Sequence, residues 1–325
     1  MKKVLCAGEI NVDLVLQGYT EFPVPGKEVL VQDFAMVMGS ATAIMAMGLA
    51  RLGTPVAFVG RVGEDAFGHF CLEQLASRGL DLSRVIRGGG VQTGLTVAIT
   101  HPLDRALVTY LGAISALTGK DVPTASMAGC HHLHSSSFFF QEGLRPDFPD
   151  LFARAQAAGL TTSLDTGYDS HEQWDGGLRA TLAHTDLFFP NEVELAAITG
   201  TDDPAEGLRR LQNGRTRVVA KLGKNGAMTL EGGRVVQVPA YPVVTVDTTG
   251  AGDSFNAGFL HRWLQGAPIV ECLQLGAACG ALSTLGLGGT AAQPTLADAE
   301  AFVARGRGAP PGFRPASLSS ATRAA

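Results

Sequence analysis

The sequence predicts an α/β protein with a mainly parallel central sheet, helices on both faces, and a second, smaller sheet beside it. Three observations carry this. From about Cys130 onward, short apolar runs alternate with helical patterns, as in chains built of crossover units. Before that, four β-rich segments interrupt the rhythm and suit a small sheet of their own. Hydrophobic residues make up 46% and charged residues only 17%, below the roughly 25% usual in soluble domains, so much of the chain should be buried.

The elements follow in order. Residues 3–7 are a short apolar run, read as a first buried strand. Residues 13–17 and 28–37 read as strands, separated by the turn-rich Phe22-Pro23-Val24-Pro25-Gly26. Residues 41–52 are apolar nearly all round and predict a buried helix ending at Gly53. Residues 56–59 form another strand and 65–78 an amphipathic helix closed by Gly79. Residues 93–100 and 106–111 resemble a hairpin across His101-Pro102-Leu103-Asp104-Arg105. Strands are expected at 131–135, 160–164, 187–189 and 218–221, with helical patterns such as 147–158 between them. Residues 306–325, rich in Gly, Pro, Ser and Ala, read as an extension with little packing.

The 325 residues suffice for one large α/β domain or two medium ones, and they contain no internal repeat. The 41 glycines lack a three-residue period, which excludes collagen and leaves glycine-rich turns near ligands as the plausible use. Net charge is −5 with no long basic block, so nothing favours a nucleic-acid partner. Five scattered cysteines without CxxC spacing read as reduced core residues, hence a cytoplasmic protein. The apolar run after Lys2-Lys3 is broken by Gly8, Glu9, Asn11 and Asp13, too soon for a signal peptide or a transmembrane helix, so no membrane partner is expected.

The most informative segment is Asp247-Thr248-Thr249-Gly250-Ala251-Gly252-Asp253-Ser254-Phe255-Asn256-Ala257-Gly258. A β-rich run at 241–246 feeds it and an apolar helical pattern at 255–264 follows, so Gly250, Ala251 and Gly252 sit where a strand is expected to turn into a helix. The first backbone N–H groups of a helix have no intrahelical partner and carry the positive end of its dipole. Small residues there let a phosphate approach closely. Asp253, in the first helical turn, is placed for general-base work on an incoming hydroxyl. Taken singly, the same residues also read as a tight turn and a helix cap.

This segment resembles the C-terminal signature of the ribokinase-like (PfkB) carbohydrate kinases, DTTGAGD followed by Phe and a small-residue helix. The resemblance extends over about residues 3–305, in the family's order. Asn11-Val12-Asp13 is similar to its NxD, whose aspartate binds sugar hydroxyls. Gly26 and the stretch from Gly39 to Gly53 resemble the first glycine-rich region. Gly60-Arg61-Val62-Gly63-Glu64-Asp65-Ala66-Phe67-Gly68 resembles VGxVGxDxxG. Pro190-Asn191-Glu192-Val193-Glu194 resembles NxxE, and Lys221-Leu222-Gly223-Lys224-Asn225-Gly226-Ala227 the strand–glycine turn beside the nucleotide. Alone, Asn11-x-Asp13 reads as a polar turn, Gly60 to Gly68 as a loop with an N-cap, Asn191-x-x-Glu194 as a capping box and Lys221-Leu222-Gly223 as a strand end. It is their common order that favours the family.

The resemblance implies a ribokinase-like three-layer sandwich. Its main domain would comprise residues 1–12, 38–92 and 113–305, its β lid residues 13–37 and 93–112. It implies ATP-dependent phosphorylation of a hydroxyl on a sugar or sugar-like molecule, with Asp253 as base and the amides of Gly250, Ala251 and Gly252 as anion hole. Asn11, Asp13, Gly39, Ser40 and Asp165 would bind acceptor; Asn191, Glu194, Lys221, Gly223 and Gly226 would serve nucleotide and Mg²⁺. Asp247, Thr249, Ser283 and Gly288 would hold K⁺, whose replacement by a bulky organic cation should then slow the reaction. Exposed edges of the lid strands would pair in a homodimer.

Several positions depart from the pattern. Met38-Gly39-Ser40-Ala41-Thr42-Ala43-Ile44 lacks the second glycine and the asparagine of the first region, the family's DPN is Asp165-Thr166-Gly167, and Ile114 follows Gly112-Ala113 where asparagine is common. An unusual acceptor is expected from these changes, with a nucleoside kinase or a catalytically silent sugar- or nucleotide-binding regulator as alternatives. His131-His132-x-His134 places His132 and His134 on one strand face, read as core or pocket rather than metal site, and Phe138-Phe139-Phe140 reads as packing or pocket wall. The sequence contains neither GxxxxGK[ST] nor a strand–GxGxxG–helix unit, against a P-loop kinase and a dehydrogenase.

Overall fold

The computed structural model describes residues 1–19, 21–100 and 105–306. The tip of the expected hairpin at 101–104, and all of the expected extension beyond Gly306, lie outside the described residues. The chain begins with β1 (Val4–Ala7), β2 (Asn11–Gln17) and β3 (Asp33–Met38), then helix α1 (Ala41–Arg51) and β4 (Val56–Val59). There follow β5 (Arg61–Val62), α2 (Ala66–Ser77), β6 (Ile86–Arg87), β7 (Gly94–Thr100) and β8 (Arg105–Tyr110). The alternating half is β9 (His132–Ser135), α3 (Phe148–Ala157), β10 (Thr161–Leu164), α4 (Leu178–Leu182), β11 (Leu187–Phe188), α5 (Glu192–Thr199), α6 (Pro204–Arg210) and β12 (Arg217–Lys221). It closes with the hairpin β13 (Ala227–Glu231) and β14 (Arg234–Val238) and the helices α7 (Ala251–Leu264), α8 (Ile269–Ser283) and α9 (Leu296–Gly306).

The central sheet has eight strands in the order β14-β13-β12-β11-β10-β9-β1-β4. It is parallel from β4 through β12 and antiparallel only at the β13–β14 edge. β1 shows why it is buried on both sides. Val4 and Cys6 belong to one hydrophobic cluster, with α1, α7 and α8, while Leu5 and Ala7 belong to another, with α3. Helices therefore cover both faces, the three-layer arrangement expected. A second sheet of four strands, β3-β2-β7-β8, stands beside it. All five cysteines are free and buried.

Two expected strands change. Of residues 28–37 only the last part pairs, because β2 stops at Gln17, which faces Asp33 and accepts from the Gln32 N–H, and offers residues 28–31 no partner among the described residues. The run at 241–246 forms no strand. The sheet edge has already ended with β14, Pro242 lacks an N–H, and Val246 and Asp247 instead donate to the carbonyl of Thr284. The turn at Gly250 is thus fed by an extended segment laid on the end of α8, not by a strand.

The sheet order reverses at β1, whose neighbours are β4 and β9. Parallel sheets bind ligands beyond the carboxyl ends of their strands at such a reversal. β1 leads there into Glu9, β9 into Ser136 and Ser137, β10 into Asp165, β11 into Asn191, and β12 ends on Lys221.

Candidate active site

Two cavities open at this end, of about 590 and 800 Å³. The smaller is lined by Gly223, Gly226, Tyr241, Pro242, Val243, Phe255 and the small residues Ala277, Gly280 and Ala281 of α8. The larger lies between the central and small sheets and includes Asn11, Asp13, Ser40, Asp165, Asn191, Glu194 and Asp253. Both reach Lys221, Thr248, Ala251 and Gly252, so the two spaces meet at the start of α7.

Gly250 caps α7 with a left-handed φ of 70°, and a Cβ there would lie 2.6 Å from the Cα of Gly289, so only glycine makes this turn. Among the described residues the N–H groups of Gly250, Gly252 and Asp253 have no main-chain acceptor, whereas that of Ala251 donates to the Thr248 carbonyl at 3.3 Å. Of the three expected amides, those of Gly250 and Gly252 are thus without a main-chain acceptor and that of Ala251 has one, while the neighbouring Asp253 N–H has none. Lys221 adds positive charge at the same point, its Nζ 3.3 Å from where a Cβ of Gly252 would stand.

Lys221 Nζ and Asn256 Nδ2 both donate to Asp165 Oδ2, at 2.5 and 2.6 Å, and the N–H of Gly167 donates to Asp165 Oδ1 at 3.1 Å. Burial by itself would lower the Lys221 ammonium, but Asp165, Glu194 and Asp253 outweigh it and hold the group above the ordinary lysine range. Burial, then the charge on Asp165, pushes Asp253 well above the ordinary carboxylate range, against the pull of Lys221. The same causes in the same order raise Glu194 to about 7. Asn191 and Glu194 form a capping box on α5: the Glu194 N–H donates to Asn191 Oδ1 at 2.9 Å and the Asn191 N–H to Glu194 Oε2 at 2.8 Å. The box fixes a buried carboxylate facing the cavity, so capping and site placement are one arrangement.

A carboxylate raised in the folded state is stabilising while protonated and loses that contribution as pH rises through its folded value. The melting temperature of the wild type relative to Glu194→Gln should therefore fall by a few degrees between about pH 4.5 and pH 7 and level off above. A difference that stays flat across that range would place the ionisation on another group.

On the small sheet, Asn11 Nδ2 donates to Asp13 Oδ1 at 2.9 Å. A Cβ on Gly39 would collide with both side chains, which explains the glycine. Ser40, where the family pattern has a second glycine, keeps a positive φ of 69° and is held there by donating to the Glu9 carbonyl at 2.5 Å and accepting from the Ala43 N–H. Glu9 itself was not among the expected site residues. It is buried, lines the larger cavity, and accepts from the N–H and hydroxyl of Thr42. Asn256 was also missed, although its spacing of three from Asp253 puts both on one helix face.

Asp247 accepts from Thr249 N and Oγ1 through Oδ1 and from Gly288 N through Oδ2. With the Val246–Thr284 bond this gathers Asp247, Thr249, Ser283 and Gly288 next to the α7 turn, outside both cavities save for Thr249. Gly223 and Gly226 line the smaller cavity alone, and a Cβ on Gly226 would collide with the Val238 carbonyl. His132 and His134 are buried and joined through Ser163 Oγ at 2.7 Å each, with Thr161 and Ser136 at the outer nitrogens. Burial holds both imidazoles neutral. Phe138 is buried in the core, while Phe139 and Phe140 line the larger cavity. No group of three or more His, Cys, Asp or Glu that could hold a metal ion occurs among the described residues, nor a helix long and apolar enough to cross a membrane.

A nucleotide-sized cleft and a polar cavity meeting at a helix N-terminus define a small-molecule kinase of the ribokinase fold. A fructokinase with bound ATP from Xylella fastidiosa superposes with a TM-score of 0.81 at 25% identity, covering 93% of this chain and 98% of that one. The chain belongs to the pfkB family of carbohydrate kinases, whose model matches residues 1–296, and is an ATP-dependent kinase of that class. It is 34% identical over 273 residues to a fructokinase of Klebsiella pneumoniae, covering 79% of this chain and 88% of that one. It is 30% identical over 308 residues to an ATP-dependent ribose-1-phosphate kinase of Halopiger xanaduensis, covering 93% and 98%.

Proposed function

We propose that the chain transfers the γ-phosphoryl group of ATP to a hydroxyl of a sugar or sugar-like molecule, with Asp253 as general base. One observation carries this. The two cavities share the α7 turn and Lys221, yet Asp253 lines the larger one alone. A nucleotide in the smaller cavity would bring its terminal phosphate to the free N–H groups of Gly250, Gly252 and Asp253, and an acceptor in the larger one would meet the carboxylate from the other side. The small sheet acts as a lid over the acceptor, offering Asn11 and Asp13 to its hydroxyls. The Asp253 carboxylate, lining this cavity beside N–H groups without a main-chain acceptor among the described residues, supports this reading over a silent binding protein. Coupled ADP release from ATP and Mg²⁺, with and without a panel of sugars, tests the reading. A protein that binds ATP but shows no acceptor-dependent ADP release would overturn it.

The donor oxygens suit the implied cations. Glu194, lining the larger cavity, would offer a hard carboxylate oxygen as Mg²⁺ requires, and the ion when bound supplies charge neutralisation on the phosphate oxygens. The carbonyls of Ser283 and Gly288 accept no main-chain hydrogen bond among the described residues, which suits a weakly held monovalent ion beside Asp247 and Thr249. Activity is accordingly expected to rise when K⁺ replaces a bulky organic cation. An equal rate in both salts would remove K⁺ from the account and leave the phosphoryl transfer untouched.

A homodimer through the lid is also proposed, for a different reason than the unpaired edges. The register aligns Leu16 with Phe34 and Ile99, Leu14 with Met36 and Val97, Val97 with Val108, and Leu95 with Tyr110 on the face turned from the cavity. Phe34, Met36, Val108 and Tyr110 are exposed there. A second copy offers the same face under two-fold symmetry. Phe34→Lys should shift the solution mass at micromolar protein from dimer to monomer; a monomeric wild type ends the proposal.

A further inference from the structure

We propose that the acceptor is an uncharged polyol carrying an apolar group, and that the site rejects acceptors bearing a phosphate or a carboxylate. This rests on the phosphoryl-transfer reading and names the substrate class of the same cavity.

The first observation is charge. Glu9, Asp13, Asp165, Glu194 and Asp253 line the larger cavity, with the exposed Glu142 at its rim. The one lysine or arginine among its described lining residues is Lys221, which is bonded to Asp165 and lies against Gly252, on the phosphoryl side. Burial, and then the charge on Asp165, already raises both Asp253 and Glu194, so the cavity disfavours additional negative charge. A further anion on the acceptor would be buried there with no second cation among the described lining residues to pair with it, which is a usual way a site excludes a close analogue.

The second observation is the order of side chains on the lid. Asp13, Thr96 and Thr109 form one cross-strand row on the inner face, and Val15, Ala98 and Leu107 form the next, about 7 Å further along. Polar groups meet the acceptor close to Asn11 and Gly39; apolar ones meet it beyond. Ile114 and Phe139 add further apolar surface to the lining of the same cavity. Leu107 is 56% exposed although it faces the cavity, so apolar surface there is available to a ligand. A nucleoside or an alkyl or aryl glycoside has this polarity.

The test is equilibrium binding in the presence of a non-hydrolysable ATP analogue. Matched triads of ribose, fructose and glucose are used: parent sugar, its phosphate at a position away from the hydroxymethyl group, and its nucleoside or aryl glycoside. In the best-bound triad the phosphate is expected to bind at least about 10²-fold more weakly than the parent, and the apolar derivative roughly tenfold more tightly. Leu107→Ser should reduce that tenfold preference towards unity. A phosphate that binds as well as its parent, an apolar derivative no tighter than its parent, or no binding in any triad would each overturn the inference. ADP release is measured separately. The expected binding order without turnover would sink the phosphoryl-transfer reading and leave the acceptor class standing.

Discussion

Asp253→Asn is expected to lower kcat by at least about 10²-fold while nucleotide binding and the fold persist. The hydroxyl of a polyol is a poor nucleophile, and its proton must leave as the new phosphorus–oxygen bond forms. Asparagine keeps the size of the side chain but removes the base. The N–H groups of Gly250, Gly252 and residue 253 are main-chain groups and survive the change, so ATP should bind nearly as before. Stability should not fall, because burial and the neighbouring Asp165 make the Asp253 charge unfavourable in the folded protein. The pH profile adds a second readout. Since Asp253 is pushed well above the ordinary carboxylate range, its ionisation must appear as a rise of kcat with pH at values well above the pH of about 4 where free aspartate titrates. Steady-state kinetics with nucleotide binding and a thermal melt decide the matter. A folded, ATP-binding Asp253→Asn protein with near-wild-type kcat would falsify the assignment.

Lys221→Met is expected to be damaging in two separable ways. Lys221 and Asp165 form a mostly buried ion pair at 2.5 Å, and removing one partner leaves the other charge uncompensated, a loss on the order of 3–5 kcal/mol. It also withdraws the positive charge that opposes the upward shifts of Glu194 and Asp253. Both carboxylates should then hold their protons to higher pH, and the rise of kcat with pH should move upward. Asp165→Asn in the Lys221→Met background removes the stranded carboxylate and is expected to recover stability but not activity. If the double variant regains activity as well, Lys221 acts only through the fold.

Some of this was legible along the chain. The string from Asp247 to Gly258 combines glycines, an acid and a small-residue helix within one turn of chain, and the helix does begin there, at Ala251. The strands at 131–135, 160–164 and 218–221 were visible within a residue because apolar runs bounded by turns are a local signal. The run at 241–246 misled for the same reason. Its β-rich composition is local, but whether it pairs depends on a sheet edge that β14 had already closed. Residues 28–31 failed likewise, since β2 ends before them.

By itself the sequence determined the layered α/β class, the order of the motifs and the place of the glycine turn that opens α7, all of which follow from periodicity, glycine and helix-end chemistry within a few residues. Only the tertiary structure decided that Lys221 and Asn256 converge on Asp165, 56 and 91 positions away, and that Glu9 is buried beside them. It alone decided that the cavity-facing side of the small sheet changes from polar to apolar between two neighbouring cross-strand rows. The reason is physical. The ionisation of a buried acid depends on burial and on charges a few ångströms away in space, and strand register sets which side chains share a face, and neither distance is written in the spacing of residues along the chain.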